Sequence, residues 1–372
     1  MKKIAFIGVN STAPWGGSEI LWAQTAMRLA QSGYQVGVNV KGWATKPKPI
    51  QALEAMCSVT YRHYDRTLLE KLIFIAQRGK QFYRWLDRFQ PDLAVISQAC
   101  NNDGLYWMEA CAARKIPYVT IAQSGAEQYW YPDALNQRLA IAYRQTQRCY
   151  FVSQRTLDLT VKQIATELPQ AEVVRNPFNV AYDAAPPWTP TDAGFKLACV
   201  GRINLVSKGQ DILFEVLRSP KWKNRPLTVS LIGAGDHVET LKRLKTLWNL
   251  PNIEFAQFTP NIEEVWATHH GLILPSRYEG LPLVIVEAML CGRTCIVTDV
   301  AGNTELVEDN VNGFVAKAPT PELFDEALER AWNARESWYE LGKVASEKVR
   351  RVIPPDPIEE FAHAIEQVLA SS

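Results

Sequence analysis

Two short segments in the second half of the chain carry residue types suited to an anionic, polyhydroxylated ligand. The first, Gly201-Arg202-Ile203-Asn204-Leu205-Val206-Ser207-Lys208-Gly209, sets an arginine and a lysine six positions apart just after an apolar run. Forked hydrogen bonds from Arg202 and the point charge of Lys208 could together neutralise a diphosphate. Two unrelated surface cations on a loop are the competing reading. The second segment runs from Pro275 through Ser276, Glu279, Gly280, Leu281 and Pro282 to Glu287. Pro282 suits the start of a helix, where its missing N–H costs nothing. Glu287 then lies inside that helix among Leu283, Val284, Ile285, Val286, Ala288 and Met289, where a carboxylate is costly unless its charge is engaged. Vicinal hydroxyls of a ribose would engage Glu287, and those of a sugar ring Glu279. A structural salt bridge would serve either residue as well.

The first half offers weaker signals. In Trp15-Gly16-Gly17-Ser18-Glu19, the two glycines would let backbone amides approach an anion at the positive end of a helix, or simply form a tight turn. The GxGxxG dinucleotide fingerprint is absent there. Asn101, Asn102 and Asp103 follow one apolar run, and Gln123 and the Gln128-Tyr129-Trp130-Tyr131 stretch follow another. Amides can read sugar hydroxyls and aromatics can stack on sugar faces, although ordinary partial burial explains the aromatics equally well. No DxD occurs, and His269 and His270 lack ligand-spaced partners, so no metal is expected and both histidines read as structural. No resident cofactor is expected either.

These residues must be positioned by a framework, and its pattern is clear. Short β-branched runs alternate with helical periodicity, as in open parallel sheets covered by helices. The predicted strands are Lys3 to Val9, Gln35 to Val40, Leu93 to Ser97, Tyr118 to Gln123 and Cys149 to Ser153, then Lys196 to Gly201, Leu227 to Ile232, Gly271 to Leu274 and Thr294 to Thr298. Each half opens with strand, loop and helix, which predicts an α/β chain of two Rossmann-like domains. At 372 residues, two cores are also the size-based expectation. The proline-rich stretch 183–194 reads as a linker, giving domains 1–182 and 195–353, with 354–372 a final helix returning to the first domain.

Charge is unevenly shared. Residues 1–180 hold 21 Lys and Arg against 13 Asp and Glu, net +8, and the remainder 19 against 26, net −7. A basic first half suits a polyanionic acceptor or anionic lipid, or two domains that complement each other. A helix from Leu68 to Phe89 is predicted with a buried stripe through Leu72, Ile75, Phe82 and Leu86. Its other side mixes Phe74 and Trp85 with Lys71, Arg78, Arg84 and Arg88, which suits a lipid headgroup layer or a surface helix packed on a loop. Seven scattered cysteines suggest neither a disulfide framework nor a zinc site. The opening apolar run ends at Asn10 and reads as a strand, and no apolar stretch approaches the length of about 18 residues that spans a bilayer. The expected location is cytoplasmic, with peripheral contact at the inner membrane face.

Taken together, the glycine pair after the first strand, GR followed by five residues and KG, the glutamates separated by seven residues, and AGNTELVEDNVNGFV resemble the retaining family 4 glycosyltransferases of GT-B fold. The resemblance covers nearly the whole chain and is strongest from Phe195 to Val315. It implies two doubly wound domains facing a central cleft, the first for the acceptor and the second for a nucleotide sugar. By position, Arg202 and Lys208 would bind the donor diphosphate, Glu287 the ribose, and Glu279 with Ser276, Gly280 and Leu281 the transferred sugar. Arg202, Lys208 and Glu279 would be catalytic, and Gly16 and Gly17 would approach from the other domain. The implied reaction is metal-independent, retaining transfer from a UDP- or GDP-sugar to a glycan or lipid-linked sugar acceptor in cell-surface or exopolysaccharide synthesis, with no role for nucleic acid. Gln123, Asn102, Asp103 and Trp130 are the acceptor-side candidates. Base choice would rest on the backbone near Gln257, Phe258 and Thr259. Many relatives carry a histidine where this chain has Gln123, which keeps a non-catalytic partner protein, or an epimerase or phosphorylase of the same fold, as alternatives.

Overall fold

The computed structural model describes residues 1–11, 14–62, 80–256, 259 and 261–371. The chain forms two compact units, 1–177 with 356–372, and 178–355.

The first unit holds a seven-stranded parallel sheet of β1 (Lys3–Gly8), β2 (Gln35–Lys41), β3 (Ser58–Arg62), β4 (Leu93–Gln98), β5 (Tyr118–Ala122), β6 (Arg148–Phe151) and β7 (Ala171–Val173), in the order β3-β2-β1-β4-β5-β6-β7. The second holds a six-stranded parallel sheet of β8 (Phe195–Val200), β9 (Leu227–Ile232), β10 (Ile253–Ala256), β11 (Gly271–Leu274), β12 (Thr294–Thr298) and β13 (Gly313–Ala316), in the order β10-β9-β8-β11-β12-β13. Both sheets start at the middle and reverse direction between their first and fourth strands. Ligands in such sheets bind beyond the carboxyl ends at that reversal, so the loops after β1, β4, β8 and β11 are the ones the topology favours.

Central strands are apolar on both faces because helices cover both. Along β1, Ile4 and Phe6 enter one core with Val36, Val38, Val95 and Val119, while Ala5 and Ile7 enter the other with Ala94, Ile96 and Ala122. The final helix, Pro357–Ser371, contributes Phe361, Ala362, Ile365, Val368 and Leu369 to the first of these cores. Asp356 starts it by accepting from the Ile358 and Glu359 amides at 3.1 and 2.9 Å, and binds Arg28 at 3.0 Å. The helix therefore belongs to the first unit although it follows the second in sequence.

The units divide at Pro177–Phe178, ahead of the expected linker. Residues 183–194 are docked on the second unit. Arg293, 2% exposed, donates to the carbonyls of Trp266, His269, Cys291, Pro186 and Pro187 and lies 5.1 Å from the Trp188 ring. Prolines cannot join a strand ladder, but their carbonyls remain acceptors, and the buried guanidinium uses them. His270 adds to this dock: its Nδ1 accepts from the Lys196 amide and its Nε2 donates to Thr189 O. Burial pushes His269 and His270 towards the neutral form, and His269 bonds Val265 O and Ser230 Oγ. Among the described residues, no group of three or more His, Cys, Asp or Glu side chains could hold a metal ion.

Of the predicted amphipathic helix, 68–79 lies outside the described residues and Lys80–Phe89 is helical. Leu86 is fully buried, Trp85 stacks on Phe89, and Arg84 and Arg88 are exposed. Among the described residues, no helix is long and apolar enough to cross a membrane.

Candidate functional site

In the second unit, the loops after β8 and β11 are locked together by backbone contact. Gly209 has φ +62°, and a Cβ there would stand 2.1 Å from Pro275 O. Only glycine fits. Asn204 caps the short helix Leu205–Lys208 by accepting from the Ser207 amide at 3.1 Å, and that turn aims Lys208 at the second loop. Lys208 Nζ lies 2.5 Å from Glu279 Oε1, and Ser276 Oγ donates to the same oxygen at 2.7 Å. Ser276 is itself held by Thr298, whose hydroxyl donates to Ser276 O. Arg277 closes the frame with a bidentate pair to Asp211, 2.7 Å on each arm, and a bond to Leu205 O.

Lys208, Ser276 and Glu279 are thus brought together. Arg202 stands apart: its carbonyl accepts from Gln210, while its exposed guanidinium has no partner among the described residues. Gly280 O accepts from the Gly302 amide, which ties this loop to the start of the AGNTELVEDNVNGFV segment. Beyond, Glu287 sits in the helix Leu283–Leu290 and is 4% exposed. Its Oε1 accepts from both the backbone N–H and the side-chain Nδ2 of Asn179, at 3.0 and 2.8 Å. Burial pushes its carboxyl above the usual carboxylate range, and the two Asn179 donors pull the other way.

Sequence reasoning missed Asn179 altogether, since nothing marks it locally. It also missed the loop Gly233-Ala234-Gly235 after β9. A Cβ on Gly233, φ +154°, would stand 1.9 Å from Gly201 O, so this loop runs backbone against backbone along the Arg202 loop. Two glycines directly after an apolar run were the available signal. Gln257 and Phe258 fall outside the described residues.

In the first unit, Gly16 and Gly17 open the helix Gly17–Gln31 as expected of a strand-helix turn, and that helix end already holds a carboxyl group of the chain itself. Glu19, 7% exposed, accepts from Asn10 Nδ2 at 2.9 Å and Ser18 Oγ at 2.8 Å, and a Cβ on Gly16 would come within 3.3 Å of its Oε2. Asp103 caps its own turn by accepting from the Cys100 amide, and burial pushes its carboxyl up. Asn102 is half-buried; Trp130 is 54% exposed, with Lys162 Nζ 5.9 Å from its ring.

Gln123 follows β5 and is 6% exposed; Asn176 Nδ2 donates to its Oε1 at 2.7 Å. The remaining ends of this pair, Gln123 Nε2 and Asn176 Oδ1, are buried with no hydrogen-bond partner among the described residues.

Two family models match complementary parts of the chain: that of Glycosyltransferase Family 4 over residues 15–182, and that of Glycosyl transferases group 1 over residues 194–334. The chain belongs to this glycosyltransferase family. Over its full length the glycosyltransferase shares its fold with the Anabaena HepE protein crystallised with UDP and glucose, at TM-score 0.73 and 18% identity, covering 100% of both chains. A Rickettsia africae glycosyltransferase gives TM-score 0.78 at 14% identity, covering 100% of this chain and 99% of that one. Both establish the two-domain GT-B fold. In sequence it is 31% identical over 143 residues to an uncharacterized glycosyltransferase of Methanocaldococcus jannaschii, covering 38% of this chain and 39% of the relative. It is also 31% identical over 102 residues to an Escherichia coli enzyme named UDP-Gal:alpha-D-GlcNAc-diphosphoundecaprenol alpha-1,3-galactosyltransferase, covering 27% and 26%. The aligned segments thus span well under half of the curated relatives' length.

Proposed function

We propose that the protein transfers a sugar from a UDP- or GDP-sugar to a glycan or lipid-linked sugar acceptor, with retention of configuration and without a metal, in the synthesis of a cell-surface or exopolysaccharide glycan. The observation that carries this is the Lys208–Glu279–Ser276 cluster at the sheet reversal of the second unit, with the unpaired Arg202 on the adjoining loop. Cations there suit a diphosphate, and a carboxylate fixed by Lys208 and Ser276 suits the hydroxyls of the sugar it carries. Family membership supports the same assignment, as does the fold shared with HepE, a protein crystallised with UDP and glucose.

In this reading the second unit binds the donor, with Glu287 on the ribose and Gly280 and Leu281 beside the sugar. The first unit receives the acceptor through Gln123, Asn102, Asp103 and Trp130. The bond from the anomeric carbon to the phosphate oxygen breaks while the acceptor oxygen attacks the same face. The departing phosphate takes the acceptor proton and leaves as part of the nucleoside diphosphate. No protein nucleophile is needed, and Arg202 and Lys208 stabilise the developing charge. The exposed Arg84 and Arg88, with Trp85, would rest on the inner membrane face where a lipid-linked acceptor resides.

Transfer is tested with a panel of UDP-, GDP- and ADP-sugars and lipid-linked or free glycan acceptors. Nucleotide binding without transfer or hydrolysis across the whole panel would favour a non-catalytic partner, and analysis of products would reveal epimerisation or phosphorolysis.

A further inference from the structure

The two chain crossings between the units are both fastened near the helix that carries Glu287. Tyr182 OH donates to Arg350 O and Ile353 O, joining the outgoing and returning segments, and Arg350 Nη2 donates to Leu290 O at the end of the Glu287 helix. Ahead of Tyr182 comes Asn179, whose two donors both go to Glu287 Oε1; Oε2 makes no hydrogen bond among the described residues.

We infer that Asn179 is a positioning residue for the donor ribose, anchoring the Glu287 carboxylate through one oxygen and leaving the other for the vicinal hydroxyls. This rests on the reading of Glu287 as the ribose ligand. A neutral amide suits this role, because an arginine or lysine in its place would anchor the carboxylate but compete for the oxygen the ribose needs. The charged groups on the surrounding segments are engaged elsewhere or carry the wrong sign. Glu263 accepts from the Ala181 amide, Arg293 is spent on carbonyls, and Arg350 donates to Leu290 O, Tyr182 O and Ser346. Glu308 pairs with Lys348, and Glu305, on the short helix Asn303–Leu306, is a like charge and no anchor for a carboxylate. Among the described residues, Asn179 is thus the one group that opposes the effect of burial on this carboxylate. Without its side-chain donor, Glu287 takes up a proton at a higher pH and swings from its anchored position, so the open oxygen is no longer held as an acceptor for the diol.

The test measures binding of UDP, GDP, 2′-deoxy-UDP and pyrophosphate to the full chain by calorimetry between about pH 5 and pH 9, as a ratio to wild type at each pH so that the ligand's own titration cancels. For the ribonucleoside diphosphate that binds, Asn179→Ala is expected to be weaker than wild type throughout, by about tenfold at the acid end and by a smaller factor at the alkaline end, where the unanchored carboxylate is ionised. Asn179→Asp, close in shape but adding a like charge, should lose affinity over a wider pH span. Pyrophosphate should show no such ratio, and 2′-deoxy-UDP a smaller one. Equal loss at every pH, or none, overturns the inference. Wild-type affinity in Glu287→Gln instead removes the ribose reading beneath it. A second measurement does not depend on nucleotide: the carbon-13 carboxyl signal of Glu287, assigned by its absence in Glu287→Gln, should titrate at higher pH in Asn179→Ala and Asn179→Asp. An unmoved midpoint overturns the inference.

Discussion

Six strands of the first sheet follow the same order as the six of the second, yet the strand-end loops of the two sheets are furnished with different chemistry. In the second unit, ionic groups meet: Lys208 on Glu279, Arg277 on Asp211, and Arg202 exposed beside them. In the first, the carboxyl groups of Glu19 and Asp103, on the equivalent loops after β1 and β4, serve their own turns, and the neighbouring ends of β5 and β7 hold the Gln123–Asn176 amide pair. Identical topology offers both units the same ligand position, so the difference lies in what each loop can bind. The loops of the second unit bring charged side chains together, whereas those of the first hold a neutral amide pair and carboxyl groups bonded within their own turns.

The contrast is most sharply tested where charge is removed. Arg202→Ala and Glu279→Ala should each lower transfer from the preferred donor by about 10²- to 10³-fold, measured as kcat/KM. Unchanged rates would end the donor-site assignment. Next in size are changes at Gln123. Gln123→Ala should cut transfer by about tenfold while nucleotide affinity holds. Gln123→His should make the rate depend on pH near neutrality, where the wild-type rate should be flat. A wild type already titrating there would mean the first unit does contribute an ionisable group.

Glu287→Gln separates binding from stability. Burial raises the folded-state pKa of Glu287 above its unfolded value, so the stability it contributes is full below the unfolded value and lost as pH rises through the folded one. At neutral pH the buried carboxylate is a net cost. The glutamine variant should therefore melt higher than wild type at neutral pH, on the order of 2 °C, with the gap shrinking towards pH 4 or so, while its nucleotide affinity falls. A gap that grows on acidification contradicts this account. Smallest in its effect on chemistry is the double substitution Arg84→Glu, Arg88→Glu. Sedimentation with anionic vesicles should drop severalfold and transfer to a soluble acceptor should stay the same. Equal sedimentation would leave the helix as an ordinary surface element.

All nine strands read from the sequence lie in the sheets, whereas the four that escaped it, β3, β7, β10 and β13, are the sheet edges. An interior strand buried on both faces is written as an apolar run such as Ala5-Phe6-Ile7. Three edge strands, such as Ala171-Glu172-Val173, carry a charge that breaks the apolar run, and the fourth, Gly313-Phe314-Val315-Ala316, is a four-residue strand that opens on a glycine. The same asymmetry governs the site. Lys208 and Glu279 were legible because strand-end loops announce themselves in sequence. Asn179 was not, because its role comes from a helix 108 positions away. The proline-rich 183–194 stretch misled for a related reason: its anchor is Arg293, and no local pattern shows a guanidinium reaching for proline carbonyls.

That anchor also says where the molecule can be taken apart. The second unit is an insert, entered after Pro177 and left before Asp356, with the proline stretch as part of its cargo. A chimaera that exchanges the second unit between relatives should be spliced at those two junctions, so that Arg293 travels with its five carbonyls and the last helix stays with the sheet it covers. Splicing within 183–194 would strand a buried cation among foreign neighbours, and the graft would fail in folding before its chemistry could be judged.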